Sequence, residues 1–124
     1  MNLVDSCGWL EYFADGPNVR FFATPIEDVD NLLVPTICLL EVFKRVFQQR
    51  GEDAALQAAA HMQEGRVASL DTPIALTAAR IGAESGLPLA DSVILATARF
   101  HEATIWTQDA DFEGIPSVKY KAKT

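Results

Sequence analysis

Short apolar runs alternate with helix-like segments along this chain, and that alternation constrains the fold more than any other feature. Five runs are predicted to be strands: Leu3-Val4, Leu32-Leu33-Val34, 66–70, 104–107 and 117–120. Strands joined by helical crossovers are parallel, and a parallel sheet needs cover on both of its faces. The sequence therefore predicts a three-layer α/β/α sandwich with a short, mostly parallel five-stranded sheet.

Length and composition predict a single domain that spans residues 1–124. A chain of this size buries roughly two-thirds of its unfolded surface, enough to fold without staples. Cys7 and Cys38 lie in apolar surroundings without metal-ligand spacing, so we expect core thiols in a reducing compartment. No apolar run is long enough for a membrane span and no signal segment precedes the first strand, so we expect a cytoplasmic protein without membrane contact.

The net charge of −7 disfavours broad contact with nucleic acid, since phosphate contacts need lysine and arginine. A metal-dependent site must itself be acidic, however, and basic residues can be segregated or supplied by an oligomer. The charge therefore neither proves nor excludes a polyanionic substrate.

Two of the predicted strands end in a carboxylate. Asp5 follows the first apolar run, and Asp109 follows the fourth within Thr107-Gln108-Asp109-Ala110-Asp111. Ligands bind outside the carboxyl ends of the strands in open α/β sheets, and neighbouring strands lie about 4.8 Å apart. If these strands are neighbours, the two carboxylates can share an ion. The alternatives are that Asp5 or Ser6 caps the next helix and that Asp109 belongs to a turn.

A third acid, Asp91, lies near the start of a predicted helix. Pro88 at the first helical position places Asp91 in the first turn, where the helix dipole favours an acid. Its own face also carries Ile94 and Leu95, and a carboxylate on an apolar face must be capped, paired or bound to a metal. A cap and a functional site are equally consistent with this pattern.

The fourth acid, Glu41, falls on the solvent side of its predicted helix. A helical wheel assigns the core stripe of that helix to Leu39, Leu40, Val42, Phe43, Val46 and Phe47. Periodicity alone therefore predicts an exposed Glu41 paired with Lys44 or Arg45.

The acids together suggest a metal centre. At an effective dielectric of 20, two carboxylates about 5 Å apart repel each other by about 3 kcal/mol, so a cluster needs a cation. Oxygen-only ligands select a hard ion, Mg²⁺ or Mn²⁺. No glycine-rich phosphate loop is present, and neither histidine has a partner at triad-like spacing.

Four ordered motifs resemble the PIN-domain family, and more narrowly the VapC-type toxins of toxin–antitoxin pairs. They are Val4-Asp5-Ser6, Leu40-Glu41-Val42, Leu89-Ala90-Asp91 followed by Ile94-Leu95-Ala96-Thr97-Ala98, and Thr107-x-Asp109-x-x-Phe112. The resemblance implies a central first strand and a Mg²⁺- or Mn²⁺-dependent endoribonuclease. It also implies inhibition by a small VapB-like antitoxin, and we expect a homodimer.

The resemblance also implies the roles of individual residues. Its four acids map to Asp5, Glu41, Asp91 and Asp109, supported by Ser6 and Thr107; the pattern does not secure Asp111. Metal binding falls chiefly to Asp5, Asp91 and Asp109, with Glu41 as a shared ligand or a water-orienting group. A metal-activated water would then attack an RNA phosphodiester.

Two other functions compete with this hypothesis. A metal-site domain could bind RNA or a partner protein without cutting. A phosphoacceptor receiver domain needs adjacent acids after its first strand, whereas Ser6 follows Asp5, and its acceptor would have to be Asp71, which looks like part of a helix start at Thr72-Pro73.

Two surface features remain open. A lysine row, Lys119, Lys121 and Lys123, fits a protected sheet edge better than a phosphate site. Aromatic residues of the first two helices belong either to the core or to a partner groove: Trp9, Tyr12, Phe13, Phe21 and Phe22.

Overall fold

A wholly parallel, five-stranded sheet lies at the centre of the computed structural model, which describes all 124 residues. The strands are β1 (Asn2–Val4), β2 (Leu32–Pro35), β3 (Arg66–Ala68), β4 (Thr104–Thr107) and β5 (Val118–Tyr120), in the order β3-β2-β1-β4-β5. The first strand is therefore central, as the resemblance implied. Each pair of neighbours is parallel, so the sheet is more regular than predicted.

Six helices complete the α/β/α sandwich, and the predicted fold class is confirmed. They are α1 (Ser6–Phe13), α2 (Val19–Glu27), α3 (Thr36–Arg50), α4 (Glu52–Met62), α5 (Thr72–Ser85) and α6 (Leu89–Phe100). Single 3₁₀ turns precede β2 and follow β4, at Val29–Asn31 and Ala110–Phe112. The helices pack as consecutive pairs, α1 on α2, α3 on α4 and α5 on α6. None of them is long and apolar enough to cross a membrane.

The core explains why the strands appear in the sequence as short apolar runs. Leu3, Val4, Leu33 and Val34 have no exposed surface, and Ile105 is 1% exposed. A parallel strand covered on both faces has no polar side to present, so its residues do not alternate between apolar and polar.

Two predicted helix starts are shifted. Asp71, and not Thr72, is the N-cap of α5, since its Oδ1 accepts a hydrogen bond of 3.0 Å from the backbone N–H of Ile74. Pro88 is the residue before α6 and not its first helical residue, because its ψ of 156° is extended. Asp91 still lies in the first turn of α6, as predicted.

The core stripe predicted for α3 is confirmed for Val42 and Val46 and wrong for Leu40 and Phe47. Leu40 is 59% exposed and Phe47 is 48% exposed, whereas the buried residues are Cys38, Val42 and Val46. Apolar residues surround most of this helix, so periodicity could not select the face that packs on the sheet. The true stripe is rotated toward Glu41, which is half-buried, and the prediction that Glu41 points to solvent is wrong.

The aromatic residues of the first two helices divide between core and surface. Trp9 and Phe22 have no exposed surface and belong to the core. Tyr12, Phe13 and Phe21 are half-buried and pack against that core. The groove alternative therefore remains for these three residues only.

The lysine row begins on an edge strand. β5 is the last strand of the sheet, and Lys119 extends its Nζ to 4.5 Å from the centre of the Trp106 ring. The strand ends at Tyr120, so Lys121 and Lys123 lie in the C-terminal tail. The row therefore protects the edge at Lys119 only.

Candidate metal centre

Two neighbouring strands bring their terminal residues together at the carboxyl edge of the sheet. β1 pairs with β4 in a register that sets Val4 against Trp106, and the backbone N–H of Asp5 donates to the Trp106 carbonyl at 3.0 Å. The strands that precede Asp5 and Asp109 are therefore neighbours. This is the condition under which the two carboxylates can share a site.

Asp5 is buried, with 4% of its surface exposed, and both of its carboxylate oxygens accept hydrogen bonds. Oδ1 accepts from the backbone N–H of Ser6 at 2.7 Å, and Oδ2 accepts from the Thr107 hydroxyl at 2.8 Å and the Cys7 thiol at 3.3 Å. Burial raises the pKa of Asp5, and the hydrogen bonds oppose that rise. Asp5 is also the N-cap of α1, so the cap does not exclude the site.

Thr107 connects Asp5 to the loop that carries the next acids. Its Oγ1 donates to Asp5 and accepts a hydrogen bond of 2.9 Å from the backbone N–H of Asp109. The Asp109 carboxylate then accepts from the backbone N–H of Asp111 at 2.9 Å, which closes a 3₁₀ turn. The predicted turn is present, and it fixes the carboxylate of Asp109.

Three carboxylates approach one another closely enough to hold a metal ion. Asp91 at the start of α6, Asp109 and Asp111 each offer an oxygen within 4.8 Å of the others. The sequence pattern predicted that Asp91 and Asp109 would converge, whereas it left Asp111 unsecured. Asp5 is not a member of this tightest group and adjoins it through Thr107.

Electrostatic repulsion is concentrated at Asp91. Burial, followed by the charges of Asp109, Asp5 and Asp111, raises the pKa of Asp91 to about 7. Such a carboxylate is costly to ionise beside like charges, and a divalent cation reverses the cost because it attracts all of them.

Glu41 is attached to the same edge from α3. The Ser6 hydroxyl donates a hydrogen bond of 2.7 Å to Glu41 Oε1, which joins α3 to the first residue of α1. The Oε2 atom makes no hydrogen bond within the protein. Glu41 thus has one oxygen that fixes its orientation and one that remains available.

The donor set fits a hard divalent cation. Carboxylate oxygens dominate the centre, and hard ions such as Mg²⁺ prefer oxygen ligands. The soft atoms nearby are the sulfurs of Cys7 and Cys38. Burial, followed by the charge of Asp5, raises the pKa of both thiols, that of Cys7 to about 12. Cys7 therefore stays a neutral hydrogen-bond donor. A soft ion such as Zn²⁺, which prefers thiolate ligands, is not favoured at this centre.

Sequence reasoning missed Cys7 and Asn18. Cys7 lies beside Asp5 and Thr107, with its Sγ 3.5 Å from the Thr107 hydroxyl. Asn18 is 2% exposed and donates to the Gln108 side chain at 2.9 Å. These contacts join residues about a hundred positions apart in the sequence, so no local pattern indicates them.

A wholly parallel sheet with clustered carboxylates at its carboxyl edge defines an α/β domain with a candidate metal centre. The family model described as the PIN domain matches residues 3–117. The chain therefore belongs to the PIN-domain family. A search of curated proteins found no match.

Solved structures share this fold over nearly their whole length. A toxin–antitoxin complex from Klebsiella pneumoniae is 24% identical with a TM-score of 0.81, and the match covers 100% of both chains. The toxin VapC20 of Mycobacterium tuberculosis, described as cleaving the Sarcin-Ricin loop, is 17% identical with a TM-score of 0.78, covering 94% of this chain and 95% of that one. FitAcB from Neisseria gonorrhoeae is 25% identical with a TM-score of 0.65, covering 97% and 96%.

Proposed function

We propose that this chain, acting as one domain over residues 1–124, is a metal-dependent endoribonuclease and the toxin of a toxin–antitoxin pair. The single observation that carries the proposal is the convergence of Asp91, Asp109 and Asp111 within 4.8 Å at the edge where Asp5 ends β1. Acids gathered at the carboxyl edge of a parallel sheet form a site for a cationic cofactor and an anionic substrate.

The similar structures support both the substrate and the partner. VapC20 is described as a Sarcin-Ricin loop cleaving toxin, and the Klebsiella structure as a toxin–antitoxin complex. We propose RNA as the substrate and a small VapB-like antitoxin as the partner of a homodimer. A toxin that cuts cellular RNA acts where that RNA is found, so we propose the cytoplasm as its location.

We assign the metal to the carboxylates of Asp91, Asp109, Asp111 and Asp5, and propose Mg²⁺ or Mn²⁺. When bound, such an ion polarises a phosphoryl oxygen and makes water more acidic. The protein's part is to hold the carboxylates in place, which the backbone N–H groups and the Thr107 hydroxyl do for Asp5 and Asp109.

Glu41 is proposed to orient the attacking water. Its Oε1 is held by Ser6, which leaves Oε2 as a carboxylate oxygen without a protein partner. That oxygen accepts a hydrogen bond from water and aligns it for in-line attack on phosphorus.

RNA cleavage by variant proteins tests this proposal. Asp5→Asn, Asp91→Asn and Asp109→Asn preserve side-chain size and remove a charge, so each should lower cleavage with Mg²⁺ or Mn²⁺ by at least about a hundredfold. Asp30→Asn is the matched control, because Asp30 is exposed and lies in the 3₁₀ turn before β2. If the site variants cut as well as the wild type, the assignment of the site is wrong.

The same assay decides between cutting and mere binding. If purified wild type cuts no RNA with either metal, the enzyme proposal fails and the non-cleaving metal-site domain takes its place. The receiver domain is disfavoured because Ser6, and not a second acid, follows Asp5, and because the family model that matches residues 3–117 is the PIN domain.

A further inference from the structure

A basic cleft adjoins the acidic centre, and Cys7 lies between the two. This cleft is a cavity of about 300 Å³ between α1, the second half of α3 and the C-terminal tail. Its charged lining consists of Arg45, Arg50 and Lys123 against one carboxylate, Glu11. Three of the ten lysine and arginine residues of an acidic chain are therefore concentrated in one small cavity.

The three cations have no partners within the protein. All three are exposed, and none takes part in the side-chain hydrogen bonds that organise this region. Three cations beside one carboxylate leave an excess of positive charge, and an external anion relieves the repulsion between them.

A buried asparagine fixes the cleft. The Asn18 Nδ2 donates to Gln108 Oε1 at 2.9 Å and to the Ala122 carbonyl at 3.0 Å, which anchors the tail one residue before Lys123. The backbone N–H of Asn18 donates to Glu11 Oε2 at 2.7 Å. One residue with 2% exposure therefore holds three parts of the lining, and the cleft is a built feature of the fold.

The cleft lies directly beside the acidic centre. Cys7 lines it, and the Cys7 Sγ lies 3.3 Å from Asp5 Oδ2. Gln108 also lines the cleft and directly precedes Asp109, so the cleft lies beside the loop that carries Asp109 and Asp111. The volume is at the small end of ligand cavities, which suits the phosphate and sugar of one nucleotide better than a folded element.

We propose that Arg45, Arg50 and Lys123 bind the phosphate backbone of single-stranded RNA on one side of the scissile bond, with Asn18 as a positioning residue. The cleft thereby sets the direction in which the strand crosses the acidic centre. This inference rests on the proposed function for naming RNA, and it explains how a chain with a net charge of −7 holds a polyanion.

Binding in EDTA tests the cleft separately from cleavage. The probe is a short, fluorescein-labelled single-stranded RNA of mixed sequence, measured by anisotropy over a range of salt concentrations. The variant Arg45→Gln/Arg50→Gln/Lys123→Gln should weaken binding by at least about tenfold and reduce the salt slope by about two units. The control Arg66→Gln/Arg80→Gln/Arg99→Gln removes the same charge from β3, α5 and the end of α6. It should change the RNA affinity and the salt slope far less.

A variant that binds RNA more tightly would show that the charge of the cleft acts on RNA directly, because damage to the fold would only weaken binding. Glu11→Gln keeps the oxygen that accepts from Asn18 but removes the only carboxylate of the cleft, so it should bind the RNA several-fold more tightly. With active protein, the triple cleft variant should raise KM and leave kcat at saturation nearly unchanged.

The outcomes separate this inference from the proposed function. If the cleft and control variants bind RNA equally, the inference is overturned even where the wild type cleaves RNA. If the cleft variant keeps its RNA affinity but loses affinity for an acidic peptide, the cleft serves a protein partner and the inference is wrong. If the wild type binds RNA through the cleft but never cuts it, the inference stands and the enzyme proposal fails.

Discussion

The hydroxyl of Thr107 donates a hydrogen bond of 2.8 Å to the buried carboxylate of Asp5 and joins the ends of two neighbouring strands. The same oxygen accepts from the backbone N–H of Asp109 at 2.9 Å. One side chain thus fixes an acid on β1 and the start of the loop that carries two more acids. A hydroxyl is needed here because it both donates and accepts.

Replacing Thr107 with valine should therefore disturb the metal centre without changing side-chain shape. Groups that orient metal ligands typically contribute 10- to 100-fold, so we expect Thr107→Val to weaken Mn²⁺ binding and RNA cleavage by about that factor. Thr107→Ser keeps the hydroxyl and should stay close to wild type. Calorimetric titration with Mn²⁺ measures the effect, and equal affinities for the two variants would contradict it.

The raised pKa of Asp91 predicts how the metal-free protein responds to pH. Its folded pKa of about 7 lies above the usual value of 3.8, so the folded state holds a proton that the unfolded state loses. Between about pH 4 and pH 7 the unfolded state binds fewer protons, and the free energy of unfolding falls as the pH rises. Asp91→Asn cannot ionise and should flatten this decline.

Thermal unfolding in EDTA across that pH window measures the effect, with Asp30→Asn as the control. Added Mn²⁺ should raise the Tm of the wild type more at pH 8 than at pH 5, because protons compete with the ion for Asp91. Parallel pH profiles for the wild type and Asp91→Asn would show that Asp91 titrates normally.

Gly8 marks a position where helix α1 has no room for a side chain. A Cβ there would lie 2.5 Å from two carbons of the Phe22 ring and 2.7 Å from Val4 Cγ1. Phe22 is fully buried, so it cannot move aside freely. Although alanine favours a helix by about 1 kcal/mol over glycine, overpacking typically costs about 1–3 kcal/mol, so Gly8→Ala should destabilise the protein.

Urea unfolding of Gly8→Ala alone and in a Phe22→Leu background checks this clash. The substitution should cost less in the second background, since the ring that it meets is gone. If Gly8→Ala lowers the free energy of unfolding equally in both backgrounds, the clash with Phe22 is not the cause of the destabilisation.

The fold followed from the sequence because short apolar runs separated by helical crossovers leave few arrangements other than a covered parallel sheet. Asp5 and Asp109 could be assigned to one edge because both follow a strand. Asp111 could not be secured, since an Asp-Ala-Asp turn has the same sequence whether or not its second acid faces another carboxylate. Asp111 belongs to the cluster because Asp91, about twenty residues earlier in the sequence, lies close to it in the fold.

Glu41 was misplaced for a different reason. Helical periodicity shows which residues share one side of a helix. It shows which side is buried only where the apolar residues are confined to one side. In α3 they surround most of the helix, so the helical wheel includes Leu40 and Phe47 in the core stripe although both are exposed. The packing of α3 through Cys38, Val42 and Val46 sets the direction of Glu41, and the hydrogen bond from Ser6 holds its carboxylate.

Glu41 and Ser6 provide the last test, because the helical wheel and the structure predict opposite results. An exposed glutamate would tolerate Glu41→Gln, whereas a water-orienting carboxylate should lose cleavage by about 10²- to 10⁴-fold with the fold intact. Ser6→Ala removes only the hydrogen bond to Oε1 and should reduce kcat by a smaller factor. Glu52→Gln, exposed at the start of α4, is the control. Single-turnover cleavage measures all three, and wild-type rates for Glu41→Gln would remove Glu41 from the mechanism.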